Sequence, residues 1–176
     1  MTPGTVVSGR WRILHLLRAG ADSRVYLARD REDRTDAVLK ARAPRSSQAP
    51  EPQMVLDAFP VTAVQHPNVV TALEGGVGAD GAPWVALEAL EGATLRDRVR
   101  AGGPLPAAVA AEILANVAVG LAAIHDRGLV HGSLDAAGVF LARGRTSRGG
   151  DRCVILDFPP CPTGGPDGER RVELLS

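Results

Sequence analysis

A single lysine stands among the twenty basic residues of this sequence. It is Lys40, at the end of the apolar run Ala37, Val38, Leu39, and the nineteen other basic residues are arginines. A GC-rich coding bias exchanges lysine for arginine wherever charge alone matters. The lysine that survives therefore marks a place that needs a compact ammonium rather than a planar fork. Gly20 lies in the turn 18–23 between two apolar runs, where a missing side chain lets another group approach the backbone closely. Farther on, His131, Gly132, Ser133, Leu134 and Asp135 place an imidazole, a hydroxyl and a carboxylate close together, and Asp157 precedes Phe158 and Pro159. A carboxylate takes up a proton or holds a divalent cation; a serine hydroxyl near neutral pH does not take up a proton as a carboxylate does. Each of these residues also has a plainer explanation: a solvated strand lysine, a hairpin glycine, an exposed loop carboxylate.

Composition narrows the setting. A chain of 176 residues suits one domain, or one and a fraction, and is long enough to bury a core. Hydrophobic content of 45% and charged content of 23% are ordinary for a soluble globular protein. Lys+Arg and Asp+Glu are equal at 20 each, which argues against recruitment to nucleic acid or a membrane surface by bulk charge. Near-neutral proteins also tend to self-associate. Cys153 and Cys161 lack zinc-site spacing and are too few for a disulfide framework, so reduced thiols and a cytoplasmic location are expected. No signal-peptide pattern is visible over residues 1–9. The most apolar stretch, 107–124, has a membrane-span length, but Glu112 and Asn116 near its middle would be costly in lipid, so a buried soluble helix is predicted.

The elements that must position these residues follow from pattern. Runs 11–17, 25–28 and 37–40 predict three consecutive antiparallel strands. Residues 43–52 read as a loop, and 54–64 as a short helix that Pro60 kinks or splits. Two further strands are predicted at 69–73 and 84–90, around a glycine-rich turn at 75–81. After Gly92 the pattern turns helical: a short helix at 94–99, then a long one at 105–125 with Gly128 closing it. A hairpin of 139–142 with 153–156 follows, then an irregular tail. The long helix carries the stripe Val109, Ile113, Val117, Leu121, Ile124, and a second apolar set, Leu105, Leu114 and Val119, lies off it. Five strands followed by helices and a hairpin make an α+β fold in two parts meeting near Glu91 and Gly92.

This order of elements, with the residues at its joints, resembles the protein kinase family, in particular bacterial Ser/Thr kinases. The resemblance covers residues 8 to 160. It implies a five-stranded antiparallel N-lobe at 8–91, an incomplete helical C-lobe at 92–160 and an irregular tail at 161–176. The family's Gly-rich loop, anchored on Val25, would place Arg18, Gly20 and Ser23 at its three glycine positions, so only Gly20 is kept. Lys40 stands where the family has the lysine that pairs the nucleotide's α- and β-phosphates. Counting back from His66, Pro67 and Asn68 puts Asp57 at the place of the lysine's helix glutamate, one methylene short. The catalytic-loop run begins at His131. There Ser133 replaces the base aspartate, Gly138 replaces the metal-binding asparagine, and Asp135 is a displaced candidate base. Asp157, with Phe158 and Pro159, stands for the family's metal-binding DFG and would hold Mg²⁺. By the same resemblance Leu17, Val25, Ala37, Leu87, Leu90 and Phe140 would line an ATP pocket, with the backbone from Glu88 to Leu90 meeting the adenine edge.

The residues that react are replaced, whereas the packing residues His131 and Phe158 remain. The sequence thus reads first as a truncated pseudokinase that binds ATP and acts by regulatory or scaffolding contacts with a protein partner or a second copy. One alternative is an active or weakly active Ser/Thr kinase using Asp135 or a platform supplied by a partner. Another is an interaction module, or a degenerate fragment, that takes no nucleotide. No nucleic acid or membrane partner is expected. Too few residues follow Asp157 for a substrate-binding platform, which would leave part of the long helix bare to contact other proteins.

Overall fold

The computed structural model describes residues 1–21, 23–42, 55–56, 58–143 and 151–156. Two compact units emerge, Met1–Thr62 with Thr71–Ala89, and Ala63–Val70 with the chain from Leu90 onward. The sequence assigned 63–70 to the first part. Its backbone instead bonds within the second unit: Ile155 N donates to Asn68 O at 2.8 Å and Val70 N to Ile155 O at 2.9 Å.

The first unit is a six-stranded antiparallel sheet of β1 (Val6–Val7), β2 (Trp11–Ala19), β3 (Ser23–Asp30), β4 (Asp36–Arg42), β5 (Ala72–Val77) and β6 (Pro83–Glu88), in the order β1-β2-β3-β4-β6-β5. Strand β1 adds to the five expected, and β6 enters between β4 and β5, leaving β5 at the edge. Side chains alternate across a pleated strand. On β4, Ala37, Leu39 and Ala41 are buried, joining Trp11, Ile13, Tyr26, Ala28, Trp84 and Ala86 in one apolar core. Val38, Lys40 and Arg42 take the other face and are half-buried.

Residues 69–73 were expected as a strand and 75–81 as a turn. The strand is β5, which runs through Gly75 and Gly76, and the turn is 78–81, closed by Gly78 N to Ala82 O at 2.9 Å. Gly75 was misread because it serves packing rather than turning: a Cβ on it would lie 2.7 Å from Val55 Cγ1. In the expected 54–64 helix, Val55, Leu56 and Ala58 are helical, and a 3-10 turn, Pro60–Ala63, begins at the proline. Proline lacks the donor needed to continue the helix.

The second unit joins β7 (Gly92–Thr94), β8 (Val139–Ala142) and β9 (Arg152–Ile155) in an antiparallel sheet, with α1 (Leu95–Gly102) and α2 (Ala107–His125). Strand β7, not foreseen, depends on Gly92, whose φ is +148° and whose Cβ would sit 2.1 Å from Leu141 O. Thr94 caps α1, its Oγ1 accepting from Asp97 N at 3.1 Å. Helix α2 buries Ile113, Val117, Gly120 and Ile124. The stripe is therefore shorter than expected: Val109 is 43% exposed, and Leu114 and Val119 are 66% and 53% exposed. By length and composition α2 could cross a membrane, and most of its surface is not buried, which departs from the buried helix expected. Its one buried face meets β9 and Asn68, whose Nδ2 donates to Cys153 O at 2.8 Å.

Gly120 sets how closely α2 approaches this layer. A Cβ there would lie 2.9 Å from Ile155 Cδ1 and 3.0 Å from Asn68 O. Alanine favours a helix interior by about 1 kcal/mol over glycine, yet Gly120→Ala is expected to destabilise by about 1–3 kcal/mol through overpacking. Urea unfolding of the two proteins checks the sign.

Candidate functional site

The candidate site in the first unit is built on β4. Antiparallel register places Val25 of β3 and Val85 of β6 directly opposite Lys40, and Leu27 and Leu87 opposite Val38. Opposed residues share a face, so Val25, Val38, Lys40, Val85 and Leu87 form one lysine-centred apolar surface. Ala37 does not belong to it. It pairs with Ala28 and Glu88, is fully buried and belongs to the opposite core. The residue two before the lysine, Val38, takes the face assigned to Ala37, because a pleated strand repeats every second residue.

Phe59, fully buried, brings a second neighbour that sequence reasoning missed. Lys40 Nζ lies 5.8 Å from its ring centroid, and Arg42 Cζ lies 5.6 Å away. Both cations are held over a ring whose π-face attracts them. Arg42 Nε also donates to Ala58 O at 2.9 Å. A pair of alternating cations on β4, followed by an aromatic just before Pro60, was the available signal. Asp57 lies outside the described residues.

Gly20 closes the β2–β3 hairpin, its N–H donating to Ser23 O at 2.8 Å. Leu17, at a register shift between Leu16 and Arg18, is 50% exposed. Glu88 caps the next connection twice: its N–H donates to Thr71 O at 2.9 Å, and its Oε1 accepts from Thr71 N at 2.9 Å. Of the backbone expected to face adenine, the Glu88 N–H is thus already used. Leu90 and Phe140 are half-buried in the second unit.

In the second unit His131 is 5% exposed and Ser133 is exposed. Gly132 between them has φ +73°, a left-handed conformation that glycine adopts without the penalty paid by other residues. Asp135 accepts three hydrogen bonds. Oδ1 accepts from Ala137 N at 2.7 Å and Gly138 N at 3.1 Å, and Oδ2 accepts from Arg96 Nη2 at 2.5 Å. These backbone donors, and then Arg96, hold its carboxyl below the usual carboxylate range. A lowered pKa makes a weaker proton acceptor. Arg96, missed in the sequence, is positioned by the first turn of α1, where its own N–H donates to Ala136 O at 2.9 Å.

A Cβ on Gly138 would meet Leu134 Cδ1 at 3.2 Å, and the residue offers no side-chain ligand. Asp157, Phe158 and Pro159 lie outside the described residues, as does Cys161. Burial pushes the Cys153 thiol up to about 11, so it stays protonated and unreactive. No cluster of metal-ligating side chains is present among the described residues.

A family model described as "Protein kinase domain" matches residues 11–158. The chain belongs to the protein kinase domain family. The serine/threonine-protein kinase pkn2 of Myxococcus xanthus is 34% identical over 172 residues, which are 97% of this chain and 20% of pkn2. The serine/threonine-protein kinase PknB of Mycobacterium leprae is 31% identical over 149 residues, 81% of this chain and 24% of PknB. The chain thus spans about a fifth to a quarter of these curated relatives. Among solved structures, the PknI kinase domain of Mycobacterium tuberculosis superposes with a TM-score of 0.71 at 24% identity, covering 92% of this chain and 64% of that one. The fold is thus an incomplete kinase fold, with an antiparallel sheet first and few helices after it.

Asp135→Ala is expected to lower the melting temperature at neutral pH more than Asp135→Asn, which keeps an acceptor for Ala137 and Gly138. The folded pKa is depressed, so the contribution is present above the unfolded value of about 4 and is lost as pH falls through the folded value. Melting curves from pH 7 to acid should therefore show the gap between wild type and Asp135→Ala narrowing as pH falls.

Proposed function

We propose that this kinase-family chain binds ATP over the Lys40-bearing face of its sheet, does not transfer the γ-phosphoryl group, and acts through protein contacts in a regulatory or scaffolding role. The observation that carries the reading is the state of the loop after His131. Ser133 stands at the base position, and Asp135, the neighbouring carboxylate, is committed to two backbone N–H groups and Arg96. General-base catalysis contributes about 10²–10⁴-fold, and a hydroxyl at this position forgoes it. These three donors also lower the carboxyl's pKa, which makes Asp135 a weaker proton acceptor.

Nucleotide binding rests on other residues. Lys40 would pair the phosphates, and the half-buried Val25 and Val38 offer apolar surface on the same face as its ammonium. Bound ATP would supply the transferable phosphoryl group, but no route for its transfer follows from these residues. For Mg²⁺, Gly138 contributes no ligand. Asp157 remains the one family position with a carboxylate to offer. Exposed Leu114 and Val119 on α2 support a role in contacting proteins.

A thermal-shift titration with ATP and ADP, with and without Mg²⁺, tests the binding half. At one hundred times Kd the ligand should add about 2.7 kcal/mol of stability, and Lys40→Ala should remove the shift. A folded protein with no shift at millimolar nucleotide would leave the nucleotide-free interaction module as the better reading.

Radiolabelled phosphate incorporation with Mg²⁺ and with Mn²⁺ tests the other half. Wild type, Asp135→Asn and Asp157→Asn should all remain at background on generic protein substrates. Robust labelling lost in Asp135→Asn would establish the displaced-base kinase instead.

A further inference from the structure

We infer that β2, β3 and the turn after β3 carry a second anion site, built to take a phosphoryl group between Arg12 and Arg34, on the sheet face that bears Lys40 but at the other end of β4. Arg12 of β2 and Arg29 of β3 are directly opposite in the sheet. Like charges facing each other across strands destabilise the pairing. Arg29 is answered by Asp36, its Nε and Nη2 donating at 2.6 and 3.1 Å. The side chains of Arg12 and Arg34 make no hydrogen bond or ion pair among the described residues. Arg34 also adopts φ +67°, a left-handed conformation that costs any residue with a Cβ. Local costs kept at one place, without a compensating contact in the fold, point to function.

The two arginines border one cavity of about 360 Å³, together with Leu14, Arg29, Asp30 and Arg31. Its single acid is already neutralised: Asp30 is 1% exposed and accepts from Arg10 Nε at 2.5 Å and Glu32 N at 2.8 Å. Arg31 is anchored through Nη1 to Gly9 O at 2.8 Å, keeping further N–H groups for a ligand. Of the neighbouring acids, Asp33 is engaged with Thr35 and Asp36 with Arg29, while Glu32 is exposed. Three arginines therefore bring positive charge to the cavity that no described carboxylate pairs. Guanidinium forks match the oxygens of a phosphoryl dianion in bidentate geometry. Asp36 and Lys40 are four residues apart on β4, roughly 13 Å at the rise of a strand, so one phosphoryl group cannot serve both places.

The dianion has two sources, free phosphate or a phosphorylated side chain of a peptide, and the experiment separates them. The full chain is titrated with inorganic phosphate, with a phosphothreonine peptide and with the same peptide unphosphorylated, at ionic strength held constant with sodium chloride. Arginine Nε–H resonances are followed by NMR. Saturable shifts at Arg12 and Arg34 with phosphate are expected, and a tighter curve for the phosphopeptide would name the peptide as the source. Losing one charge-assisted contact should weaken binding about tenfold or more in Arg12→Gln and in Arg34→Gly. Arg34→Gly should at the same time raise the melting temperature of the free protein, because glycine accepts the positive φ. Non-saturating shifts that chloride reproduces, or unchanged affinity in both variants, would overturn the site. Because neither variant touches Lys40, ATP binding should persist in both, which keeps this test separate from that of the nucleotide reading.

Discussion

A pleated strand gives each side chain one of two faces, and β4 is packed on both. Ala37, Leu39 and Ala41 fill the core beneath it, which obliges Val38, Lys40 and Arg42 to share the other side. That parity decides which residues can act with the lysine. Val25, Val85 and Leu87 reach its face through register alone, and Ala37 is removed from it just as firmly. Small residues on the core side have their own cause. Ala28, Ala37, Ala41 and Ala86 leave room for Trp11, Tyr26 and Trp84, all buried in the same cluster. The large rings carry the apolar burial, and the alanines let the strands that bear them pack against one another. A lysine on the second face can keep its ammonium polar and its stem covered.

The second unit shows a different economy of parts. The carboxylate of Asp135 ties the turn of 135–138 to the first turn of α1 through Arg96. Such a carboxylate improves the turn by being a good acceptor of backbone N–H groups, and the same bonds depress its basicity. Turn-holding and proton uptake are thus opposed demands on one group. The geometry favours the first, with Gly138 N among the donors.

Much of this was legible in the sequence, and what was not has physical causes. Strands β2 to β4, the split at Pro60, α2 and the β8–β9 hairpin follow from period and from proline, both local signals. The lone lysine pointed to β4 through composition. Gly75 misled because glycine serves tight turns and tight packing alike, and only the position of Val55 distinguishes them. Phe59 and Arg96 were missed since each acts across a distance in sequence that no local pattern encodes. Ala37 was a parity error: the apolar run was recognised, but the two-residue period that sorts it between faces was not applied. Asp57 and Asp157 belong to the segments outside the described residues, so their places in the family pattern rest on sequence alone.

The composition of the basic residues ties these observations together. If arginine replaces lysine wherever charge alone matters, the positions that still discriminate should be those where geometry does. Lys40 is one such place, with an ammonium over the Phe59 ring. Arg42, two residues along on the same face, shows the contrast, since its fork reaches Ala58 O while stacking on that ring from 5.6 Å. An ammonium could not hold the carbonyl and present a planar face together. Exchanging the two residue types would preserve the charge of β4 and lose both arrangements. The fold therefore distinguishes cations by shape even where the chain's net charge is zero, with the ammonium of Lys40 and the guanidinium of Arg42 meeting one ring in different ways.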